Sequence, residues 1–137
     1  MVVLASLDAS TRVDAQLAGT QLRYWAAGAS GGDEELAAAC AGAGLAALEP
    51  SWFEGGKPLE ERLLPPWPLL RACREGGVPA ATALTFATEG DNQPEAAALA
   101  AAGAAVLGLR LGAGEGCQPW VQPPAWQHLD GGERAYY

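Results

Sequence analysis

Residues 2–7 read VVLASL, a short, continuously apolar run rich in β-branched residues. Such a run suits a strand buried on both faces, as in a parallel sheet. A sheet of that kind needs helices against it, so an α/β layer fold is the first expectation. A second strand is predicted at AATALTFAT (80–88), where Thr alternates with apolar residues. LRYW (22–25) reads as a short strand or an ordered loop after the polar stretch DASTRVDAQL.

Three helices follow from capping and spacing. Asp33 is predicted as an N-cap, with Glu34 and Glu35 in the first turn where the helix dipole favours acids. Leu36, Cys40, Ala43 and Ala47 continue at helical spacing up to Pro50, which stops the helix. WPLLRACREGG (67–77) reads as a short helix closed by glycine. EGDNQPEAAALAAAGAAVLGLRL (89–111) reads as a loop into a long helix. Asp91 or Asn92 would cap it, and Pro94 sits harmlessly in its first turn. Leu99, Ala102, Val106 and Leu109 form its apolar face, and its many small residues permit close packing on a sheet.

The order is therefore strand–helix–helix–strand–helix. Two strands and three helices do not finish an α/β sheet, so the chain reads as part of a larger unit. Its 137 residues are one domain's length. Residues 1–111 form the expected α/β domain. GAGEGCQ (112–118) reads as a linker, and PWVQPPAWQHLDGG (119–132) as a Pro- and Trp-bearing segment that wraps over a surface before the tail.

The net charge of −8 argues against nucleic acid or an anionic membrane as the main partner, since both select a basic surface. The start lacks the basic region and apolar length of a signal peptide. Cys40, Cys73 and Cys117 are odd in number and widely spaced, without a CxxC or metal pattern. They read as reduced thiols of a cytoplasmic or nuclear protein.

Catalytic chemistry is hard to assemble. The one histidine, His128, lies in the Pro-rich segment, and a lone His makes neither a triad nor a metal site. No metal or cofactor is expected. GAGEG follows a helix rather than a strand and does not complete GxGxxG, so it reads as a linker. Glu89 and Asp91 sit at a strand-to-helix turn, a common place for acid/base pairs in parallel sheets. Helix capping by Asp91 or Asn92, with Gly90 allowing the turn, is the preferred account of them. The five tryptophans, Trp25, Trp52, Trp67, Trp120 and Trp126, read equally as core filling or as an interface.

The stretch FATEGDNQPEAAALA (86–100) resembles the most characteristic segment of the proteasome assembly chaperone 2 family. That family has an aromatic-ended strand, Glu-Gly-Asp-Asn, a variable residue, then Pro, an acid and Ala. Phe86, Glu89, Gly90, Asp91, Asn92, Pro94, Glu95 and Ala96 occupy those positions here. VVLASLDASTRVDAQL is similar to the family's strand followed by Arg-x-Asp-x-Gln-Leu, at Arg12, Asp14, Gln16 and Leu17, with an Arg-Tyr at Arg23 and Tyr24. Trp120, Pro123, Trp126, Leu129 and Gly131 match a third family spacing.

The resemblance covers this chain but only the C-terminal half or so of the family's usual length. It implies a three-layer α/β/α domain similar to nucleoside phosphorylases without their activity, here lacking its N-terminal elements. It also implies a non-enzymatic chaperone that pairs with proteasome assembly chaperone 1. Their heterodimer binds α-subunits of the 20S proteasome and promotes α-ring assembly. Several proteasome partners end in a hydrophobic residue, Tyr and any residue, a tail that docks between α-subunits. Ala135, Tyr136 and Tyr137 fit that pattern. Two other readings remain open: a hydrolase- or phosphorylase-like enzyme using Glu89 and Asp91, and a truncated gene product that cannot fold alone.

Overall fold

A computed structural model describes residues 1–12, 14–26, 31–49, 66–111, 121 and 124. The elements are β1 (Val2–Asp8), β2 (Arg23–Ala26), α1 (Gly31–Gly42), β3 (Ala46–Ala47), α2 (Trp67–Glu75), β4 (Ala81–Ala87) and α3 (Gln93–Val106). Together they make a mixed α/β fold, with one four-stranded sheet in the order β1-β4-β2-β3. β4 runs parallel to β1 and antiparallel to β2, and β2 runs parallel to β3. The sheet is thus mixed, where an apolar first strand had suggested a parallel one.

β4 is the strand buried on both faces. Ala81 to Phe86 are all buried, as a central position requires. Among the four strands described, β1 instead stands at the end of the order, with Leu4 47 % exposed. Its apolar run is matched by a half-covered strand rather than a fully covered one. Neighbouring β4 residues feed two core clusters, because successive side chains point to opposite faces. Leu84 joins Trp25, Leu48, Trp67 and Leu70. Ala83 joins Leu45, Leu99 and Ala102. Trp25 and Trp67 meet edge to face, with ring centroids 5.8 Å apart, so both are core residues. α3 packs close to β1 through Gly103, where an added Cβ would lie 2.8 Å from Leu4 Cδ2.

α1 departs from its predicted bounds. It starts at Gly31, so Asp33 lies inside the first turn rather than at the cap. Asp33 is buried, and its Oδ1 accepts the Ala80 amide at 3.0 Å, tying α1 to the start of β4. The helix stops at Gly42, and Gly44 takes φ 86°. Ala47, placed on a helical face by its spacing, lies in β3 instead. Alanine suits either state, and the glycines decide which one ends. α2 and its glycine closure agree with expectation: Gly76 caps it and Gly77 takes φ 67°. α3 ends at Val106, so Leu109 stands beyond the helix and half exposed instead of on its apolar face.

Candidate functional site

Two of the motifs singled out in the sequence converge on one end of the sheet. β1 ends at Asp8, opposite Ala87 at the end of β4, and β2 begins nearby at Arg23, opposite Leu84. The loop from β1 to β2 and the turn from β4 to α3 therefore leave the same end.

The first motif is held by a buried polar network. Gln16 is fully buried and Arg23 is 3 % exposed. Arg23 Nε donates to Glu49 Oε1 at 3.0 Å, and Gln16 Nε2 donates to Glu49 Oε2. Arg23 Nη1 donates to the Thr20 and Leu22 carbonyls. Arg12 extends the network, donating from Nε to Ala9 O at 3.2 Å and from Nη1 to Gln21 Oε1 at 3.0 Å. Gln21 in turn reaches Gln16 O at 3.5 Å. Asp14 opens the 3-10 turn Asp14–Gln16 and is exposed. Tyr24 faces the opposite cluster, beside Leu45 and Leu99.

Glu49 was not singled out in the sequence. It is an isolated acid two residues past β3, and only the long-range pairing reveals its role. Burial pulls its carboxyl pKa up, but the bonds from Gln16, its own amide and Arg23, together with the Arg23 charge, win and hold it below the ordinary 4.5. A depressed folded pKa adds stability that is complete above about 4.5 and is lost as pH falls through the lower folded value. Unfolding free energy should thus drop as pH falls below about 4.5, and more shallowly in Glu49→Gln. Urea titrations of both proteins across that range would check it. Identical slopes would remove Glu49 from the account.

The second motif is a tight turn. Gly90 has φ 122°, a conformation that side chains rarely adopt. Asn92 sits at the N-cap position of α3, but its side chain makes no cap bond there. It faces back into the turn, with Nδ2 donating to Thr88 O at 2.6 Å and Gly90 O at 3.2 Å, while Oδ1 accepts from the Thr88 amide. Asp91 Oδ1 accepts the Gln93 amide at 3.0 Å, so Asp91 satisfies the first helical N–H. Pro94, the second helical residue, leaves no donor stranded.

Glu89 is exposed and lines a cleft of about 270 Å³ with Ser6, Asp8 and Thr88. The acid that shares this cleft with it is Asp8, while Asp91 Oδ1 is engaged by α3. Hydrogen bonds from Ser10 lower the Asp8 pKa and favour its ionised, acceptor form. Among the described residues no group of three or more His, Cys, Asp and Glu side chains is placed to hold a metal ion. None of the described helices is long and apolar enough to cross a membrane.

Cys40 and Cys73 are buried free thiols, and burial raises the Cys40 pKa. Cys117, His128, the wrap residues Trp120, Pro123 and Trp126, and the tail Ala135, Tyr136 and Tyr137 lie outside the described residues. No protein-family model matches the chain, and no curated protein matches it.

Proposed function

We propose that this chain is a non-enzymatic chaperone of the proteasome assembly chaperone 2 type. It pairs with proteasome assembly chaperone 1 in the cytoplasm and nucleus and promotes 20S α-ring assembly. Its α/β fold is, on this reading, the C-terminal part of a three-layer domain like that of nucleoside phosphorylases. The observation that carries the proposal is the ordered set of three motifs in the sequence. Support comes from the work their residues do here. Gln16 and Arg23 are spent on a buried network, and Asp91 and Asn92 on shaping a turn. Both are scaffold roles, which suits a protein that acts by presenting surfaces.

The tail Ala135-Tyr136-Tyr137 supplies the docking element in this proposal. Its terminal carboxylate would pair with a lysine between α-subunits, and the penultimate Tyr136 would pack in the same cleft, a form of carboxylate capture. The test is a pull-down of α-ring intermediates by the heterodimer. Tyr136→Ala, or deletion of 135–137, should cut recovery about tenfold, the loss typical of a strong hot-spot side chain. Unchanged recovery would end the tail claim. Failure of the unaltered chain to bind chaperone 1 would end the family claim.

A further inference from the structure

We propose that the cleft between β1, β4 and the first turns of α3 binds a small uncharged molecule with an aliphatic body and an alcohol hydroxyl, held by the side chains of Thr85 and Ser6. The cleft has a volume of about 400 Å³, within the range of small-molecule sites, and Leu4, Ser6, Thr85, Ala96 and Leu99 line it. Side chains alternate along β4, so Thr85 shares the α3 side of the sheet with Ala83. Ser6 stands opposite Thr85 in the parallel register and points the same way. Leu4 does too, since it packs at Gly103 of α3. Two hydroxyls therefore sit side by side between apolar walls.

Thr85 points to a ligand. It is only 4 % exposed, yet its hydroxyl makes no hydrogen bond among the described residues. The other buried threonine of β4, Thr82, donates to Val3 O at 3.1 Å. Leaving a buried hydroxyl unpaired is costly, and a valine would fill the same space without that cost. The Thr85 oxygen is not sealed in the interior, so its partner comes from the cleft. Asn92, at the same cleft, has its amide engaged by Thr88 and Gly90. Water can serve the two hydroxyls in the free protein. The apolar walls favour an occupant that replaces that water bond and covers Leu4 and Leu99 as well.

The charge of the ligand follows from Glu95, which also lines the cleft. Its carboxylate, on a chain of net charge −8, repels carboxylates and phosphates. An ammonium would leave water for two neutral hydroxyls and at most one Glu95 oxygen, since Oε2 has no exposed surface. An uncharged alcohol loses less hydration, and its hydroxyl can both donate and accept. The cleft lies near the carboxyl ends of two parallel strands, a common position for ligands in such sheets. Neither hydroxyl bears on the proteasome reading, and the test uses no proteasome component, so either proposal can fail alone.

The probes are cyclohexanol, cyclohexanecarboxylate and cyclohexylammonium, titrated into the full chain and followed by amide chemical shifts. Cyclohexanol should bind with a Kd of about 1 mM and move the amides of Ser6, Thr85 and Leu99. Both ions should bind about tenfold more weakly. Thr85→Val keeps the shape of the side chain and should weaken cyclohexanol about fivefold, while the urea midpoint stays unchanged or rises. Ser6→Ala should weaken it about threefold. A lower midpoint for Thr85→Val would show that the hydroxyl serves the fold, and would overturn the proposal. So would binding that does not saturate, an ion that binds as tightly as the alcohol, or an affinity that survives Thr85→Val.

Discussion

Trp67→Ala is expected to remove about 3–5 kcal/mol of stability, the usual cost of truncating a buried aromatic to alanine. Trp67 is only 2 % exposed at the start of α2 and fills the cluster with Trp25, Leu70 and Leu84. Its loss opens a cavity, and it also removes the edge-to-face contact that orients Trp25. A domain of this size commonly holds about 5–15 kcal/mol in all, so the variant should stand near its unfolding threshold at room temperature. Urea denaturation should show a lower midpoint with an unchanged slope. A cost below about 1 kcal/mol would mean that the cluster does not depend on this ring.

Glu49→Ala should cost about 3 kcal/mol, the lower end for breaking a buried pair, because water still reaches the edge of Glu49. The damage falls on what remains: a guanidinium 3 % exposed and a buried Gln16 amide, both deprived of their shared acceptor. Glu49→Gln keeps one acceptor and should cost less than half as much. Replacing Arg23 and Glu49 together by Met and Leu should recover most of the loss, since desolvated pairs contribute little net stability. The same urea titration measures all three. A double variant as unstable as Glu49→Ala would show that Arg23 holds the loop through its carbonyl contacts to Thr20 and Leu22 instead.

Strong local patterns were legible in the sequence. The alternation at 80–88 and the glycine-closed WPLLRACREGG both gave elements in place, because strand periodicity and a glycine stop are local signals. Leu45–Leu48 was misread because alanine carries no strong preference, and β3 owes its state to pairing with β2. Asp33 looked like a cap by its neighbours but serves as an acceptor for an amide 47 residues away. At the candidate site, Gln16, Arg23, Asp91 and Asn92 were visible as a pattern. Their partners were not: Glu49 lies 26 residues beyond Arg23, and no spacing rule joins them.

The strand order also has a temporal meaning. β4 lies between β1 and β2, yet it follows both of them in the chain by more than fifty residues. Among the described residues, no stretch ending before residue 81 contains two neighbouring strands except the short β2–β3 pair. Closing so long a loop costs entropy before any pairing repays it. During synthesis β1 must therefore wait unpaired, and β2 with only the short β3 beside it, for a strand that arrives late, and the sheet forms around its last member.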